Sequence, residues 1–175
     1  MDSTENKSAN GEYFNKEKFH TIFVKSGASS ENKNESIANL TSLLTDPTNK
    51  EHKNDILKLL KEHDGLHLLI DAISKNKKEH LKSILVAACW ESDCNCSSHL
   101  SFFVDLILNA PILVCLEAAT VVESMEGPFK KDELSHTISR LEEFLSSATN
   151  AEKERIVFAD AACTYLKGFQ IEPLN

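Results

Sequence analysis

Apolar residues recur along this chain at spacings of three and four, the period of a helix with one buried face. From Ser36 onward the pattern is continuous: Ile37, Leu40 and Leu44 share such a face. After Asp46 and Pro47, the run from Thr48 to Glu51 has the form of a capping box, predicting a second helix that carries Ile56, Leu59 and Leu60. Asp64 and Gly65 supply a helix stop, and a third helix follows over Leu66, Leu69, Ile70 and Ile73. Asn76 with Glu79 caps a fourth, which runs to about Ser92. Another helix starts behind Asn109 and Pro111 and ends at Gly127 and Pro128, and Thr149 with Glu152 caps the last. The spacing predicts about eight helices after one or two N-terminal segments, with short connections and no strand.

The faces of these helices order them in space. In the helix over 79–92, Leu81, Ile84, Leu85 and Ala88 form one stripe while Val86, Ala87 and Trp90 lie opposite, so it is apolar nearly all round. The helix over 110–126 leaves only a narrow polar line of Glu117, Thr120 and Ser124. Both are expected to be covered on several sides. The helix over 151–168 instead collects Lys153, Asp160, Thr164 and Lys167 on one side, as an end cap does. Residues 1–12 are too polar to bury a face and read as a tail, and Tyr13, Phe14, Phe19, Ile22 and Phe23 suggest a short helix docking on a single domain over 13–175.

Charge narrows the function. With 27 acidic residues against 19 basic ones, the formal charge of −8 disfavours nucleic-acid partners. No apolar run reaches the roughly 18 residues of a membrane helix, and Met1 is followed by polar residues, so a cytoplasmic protein is the expectation. Over 95–128 the acids Asp105, Glu117, Glu123 and Glu126 are matched by no Lys or Arg, which marks that segment as the middle of the fold.

The pattern also repeats. Leu81, Ile84, Ala87, Glu91 and Ser92 recur 32 residues later as Leu113, Leu116, Ala119, Glu123 and Ser124, and a looser third copy sets Phe158, Ala161, Ala162 and Cys163 where Ile84, Ala87, Ala88 and Cys89 stand. A period of about 30 to 45 residues built from two helices is that of an α-solenoid. The run Asp64 to Ile73, with a glycine ahead of a Leu-rich helix, followed by Leu81 to Ser92 with its alanines and Trp90, resembles an armadillo or HEAT repeat. The match covers about residues 64–92; the chain over 95–168 follows the rhythm without the Gly or the Trp. The resemblance implies an all-α superhelix of antiparallel helix pairs, and a closed helical bundle is the alternative. It also implies that partners bind along the second helix of each pair, which points to Trp90 and Glu91, and then to Glu117, Thr120, Glu123 and Ser124. An indole beside carboxylates suits a basic or extended peptide, while Trp90 as a core residue between repeats is the competing reading.

Candidate chemistry is sparse. Cys89, Cys94, Cys96 and His99 bring zinc-type ligands together, yet Cys94 and Cys96 have one residue between them where zinc knuckles have two or more. A loop with incidental reduced thiols is the preferred reading, and a metal or redox site the alternative. No His-Glu-x-x-His spacing, phosphate loop or nucleophile elbow occurs. The sequence therefore predicts a non-enzymatic protein-binding module or scaffold without a cofactor, with a structural homo-oligomer as a further alternative.

Overall fold

The computed structural model describes residues 30–171; the expected tail over 1–12 and the expected helix between Tyr13 and Val24 lie outside them, as do residues 172–175. Eight α-helices follow one another among the described residues: α1 (Ser30–Thr45), α2 (Lys53–Glu62), α3 (Leu66–Lys75), α4 (Glu79–Glu91), α5 (Leu100–Asn109), α6 (Ile112–Glu123), α7 (Lys131–Ser147) and α8 (Lys153–Ile171). Short 3-10 turns precede α2, α5 and α8, and no strand occurs among the described residues. No helix there is long and apolar enough to cross a membrane.

Helix starts differ from the sequence expectation in instructive ways. Asp46, rather than Thr48, organises the entry to α2: its Oδ1 accepts from the Thr48 N–H at 2.8 Å and the Thr48 hydroxyl at 2.7 Å. A carboxylate is the stronger acceptor, and Pro47 behind it opens a 3-10 turn that delays α2 to Lys53. Asn76 likewise spends its side chain on the Lys78 N–H at 3.0 Å, so α4 begins without a side-chain cap. The third box forms as expected, with the Thr149 N–H and hydroxyl donating to the Glu152 carboxylate at 3.1 and 3.3 Å.

At the stop after α2 the left-handed residue is Asp64, at φ 51°, while Gly65 keeps φ −76° and its N–H reaches back to the Leu60 carbonyl at 2.8 Å. Asp93 repeats this after α4 at φ 54°. A short polar side chain tolerates that conformation better than a branched or bulky one.

Packing arranges the helices in two rows. α4 lies against α6 and α6 against α8, α5 lies against α7, and the sequence neighbours α3 and α4, α5 and α6, and α7 and α8 pair across the rows. α1 covers α3 and α4. Hydrogen bonds fix the directions. Asn95, just past α4, donates to the Gly127 carbonyl just past α6 at 3.2 Å, which sets those two helix ends side by side. Arg155 at the start of α8 reaches the carbonyls of Ile107 and Ala110 just ahead of α6, at 2.5 and 2.7 Å. Tyr165, towards the end of α8, donates to the Met125 carbonyl just beyond α6 at 2.6 Å. α4, α6 and α8 therefore run in one direction.

The other row behaves the same way. The Ser101 hydroxyl in the first turn of α5 donates to Glu133 in the first turn of α7 at 3.0 Å, and Arg140 pairs with Asp105 further along both helices. The bonds Lys61 to Asp93, Asn95 to Gly127 and Ser101 to Glu133 each join residues 32 apart, the period read in the sequence. One continuous core runs from Ile37 in α1 to Leu166 in α8, with Leu85, Phe103, Val114 and Val122 fully enclosed. The acidic, Lys- and Arg-free segment does lie in the middle, because α6 touches α4, α5 and α8. As expected of an outer element, α8 exposes Lys153, Asp160, Thr164 and Lys167.

Candidate functional site

The most prominent surface feature lies on α4 and α6. Trp90, in the last turn of α4, is 39% exposed, and its indole N–H donates to the Glu117 carboxylate of α6 at 3.0 Å. That bond holds the ring on the surface between two helices of the same row, so Trp90 is not the core residue its burial statistics would suggest. On α6 the residues Leu113, Leu116, Glu117, Thr120 and Glu123 follow one another at helical spacing and share one side. Leu113 is 48% exposed and Leu116 41%. As expected, α6 is covered on several sides, by α4, α5 and α8; among the described residues none of these helices lies over this stripe.

Of the sequence-derived set, Glu117, Thr120, Glu123 and Ser124 fall on or beside the same stripe, and Glu91 does not, being turned to α2. Glu117 and Thr120 are half-buried, and Glu123 and Ser124 are exposed. The Thr120 hydroxyl donates to the Leu116 carbonyl at 3.2 Å and the Ser124 hydroxyl to the Val121 carbonyl at 2.7 Å, so both are turned onto their own helix. Glu91 has a role the sequence did not indicate. Its two carboxylate oxygens lie 2.8 and 2.6 Å from the Lys53 ammonium of α2, and Lys61 of the same helix pairs with Asp93. α2 thus places two cations over the negative end of the α4 dipole, where they also neutralise two acids. Lys53, Leu113 and Leu116 are the residues sequence reasoning missed. No sequence signal marked the leucines as exposed, because the recurrence aligned them with Leu81 and Ile84 on an apolar stripe.

Beyond this stripe the surface turns acidic. Glu123 and Glu126 stand around Tyr165, whose hydroxyl is raised by burial first and then by the Glu126 and Glu123 charges. Neither carboxylate has a Lys or Arg ion-pair partner among the described residues.

The thiols occupy a different place. Cys96 is 2% exposed and belongs to the core, not to an open loop, because the 3-10 turn at Ser97 folds inward and the Ser97 hydroxyl donates to the Gly127 carbonyl at 3.3 Å. Burial raises the Cys89 thiol, and its hydrogen bond with Cys96 lowers the latter. Cys94 is half-buried and raised by desolvation. All five cysteines are unbridged, and among the described residues no three His, Cys, Asp or Glu side chains converge as a metal ion would require.

The chain matches no family model, no curated protein and no solved structure.

Proposed function

We propose that this protein is a non-enzymatic interaction module with an armadillo/HEAT-like α-α superhelix, binding a protein or peptide across the exposed face of α4 and α6. The observation that carries this reading is the apolar surface of Trp90, Leu113 and Leu116, pinned by the bond to Glu117. Large apolar side chains exposed side by side, rimmed by polar groups, are typical of interaction sites. An indole already held in place loses little freedom on binding, which suits it as an anchor. Support for the superhelix comes from the two rows of same-direction helices tied together at the 32-residue period.

Affinity capture from the native cell with quantitative mass spectrometry tests this, comparing the wild type with the pair Leu113→Asp and Leu116→Asp. Both positions are exposed, so helical content by circular dichroism should be retained. The reading predicts that the variant loses the captured partner. An unchanged partner set would place the binding surface elsewhere. Recovery of the protein alone, with loss of self-association in the variant, would establish a homo-oligomer instead.

A further inference from the structure

The two central helices of the same row end differently, and the difference specifies what the surface binds. α4 ends in Glu91, a carboxylate at the negative end of a helix dipole, where an acid is destabilising unless a cation offsets it. Lys53 provides that cation from α2 at 2.6 Å. Thirty-two residues on, α6 ends in Glu123, and Glu126 follows within one turn of chain. Among the described residues no lysine or arginine pairs with this end as Lys53 pairs with Glu91, and no basic residue lies in the last turn of α6. Two carboxylates therefore sit beside a helix C-terminus and next to Tyr165 with no Lys or Arg ion-pair partner among the described residues. The field there attracts a positive group.

Apolar surface adjoins it on the same helix. From Leu113 to Glu123 the stripe spans ten residues, about 15 Å at the helical rise, and Trp90 flanks its middle through Glu117. An extended segment of about five residues covers that length at about 3.3 Å each. We infer that the occupant is a cationic peptide segment of a partner protein: its Lys or Arg seats on Glu123 and Glu126 as Lys53 seats on Glu91, and its apolar side chains cover Leu113, Leu116 and the Trp90 ring. This rests on the interaction reading above and adds the chemistry and polarity of the partner. Nucleic acids and anionic lipid surfaces are repelled by the same carboxylates, and an acidic peptide is disfavoured for that reason.

A random dodecapeptide display library, selected on the full chain, provides the probe. Enriched peptides are resynthesised without tryptophan and titrated while the emission of Trp90, the single tryptophan of the chain, is followed. The inference predicts sequences with a Lys or Arg a few residues from an apolar pair, a shift in Trp90 emission, and weakening by about tenfold or more in the double variant Glu123→Lys and Glu126→Lys, equivalent to about 1.4 kcal/mol. The control reversal Glu143→Lys, on the exposed side of α7, leaves affinity unchanged. Enriched peptides lacking cations, or binding indifferent to the Glu123 and Glu126 reversal, would overturn the cationic partner while the surface still stands if Leu113→Asp with Leu116→Asp abolishes binding. Peptides that bind that leucine variant as well as the wild type would overturn the surface itself, and so would a library that yields no binder.

Discussion

At the scale of single residues, burial and pairing decide most outcomes. Lys53 and Glu91 are partly enclosed partners, so removing the cation strands a carboxylate at a helix end. Lys53→Ala should cost roughly 1 to 2 kcal/mol. Urea unfolding checks this, and adding Glu91→Gln should recover much of the loss because the stranded charge is gone; an additive double variant would mean the pair is inert. Cys115 supplies a pH test. Its thiol is pushed up to about 11 by burial, against the opposing Arg155 charge, whereas an unfolded cysteine ionises near about 8.5. The unfolded chain thus releases a proton that the folded chain keeps, and stability falls as pH rises from about 9 towards 11. Cys89, Cys94 and Cys163 act in the same sense. Cys115→Ala should make the alkaline decline shallower in urea melts at pH 8 to about 11, and an unaltered slope would contradict the buried thiol. Residue roles of this kind were only partly legible in the sequence. The burial of Cys89, Cys115 and Cys163 follows from the apolar neighbours that surround them in the chain, while that of Cys96 does not, since a 3-10 turn carries it inward from a polar stretch.

Among the elements, what the sequence concealed was which of two neighbouring caps acts. Asp46 and Thr48 are both good caps, and only the geometry after Pro47 settles that the carboxylate accepts from Thr48. The Thr149 and Glu152 box has no such competitor and formed where it was read. Glu152→Ala removes the acceptor for the Thr149 N–H and a negative charge at the entry to α8, so it should lower stability by about 0.5 to 1 kcal/mol. Thermal unfolding beside the exposed control Glu143→Ala measures it. Equal melting temperatures for the two variants would show that the box contributes nothing. The core contrast is larger. Phe103 of α5 is fully enclosed and Val157 of α8 is 63% exposed. Phe103→Ala should cost about 3 to 5 kcal/mol and Val157→Ala less than about 0.5 kcal/mol.

For the whole molecule, helix type and order were legible because a period of 3.6 repeats within each helix and the 32-residue recurrence links the helices of a row. The middle position of the 95–128 segment was legible from its apolar, Lys- and Arg-free character. The open stripe on α6 was not. A leucine that faces a neighbouring helix and one that faces solvent look alike on a helix apolar nearly all round, and only the placement of α4, α5 and α8 leaves Leu113 and Leu116 bare. The same packing joins Trp90, read as one of two alternatives, to Glu117 as a surface pair. The most direct measurement of the binding account uses that pair. With the captured partner or a selected tryptophan-free peptide added to saturation, the emission of Trp90 should shift to shorter wavelength as the indole is covered, and the Leu113→Asp with Leu116→Asp variant should show no shift. Binding demonstrated by calorimetry with Trp90 emission unchanged in the wild type would contradict the account.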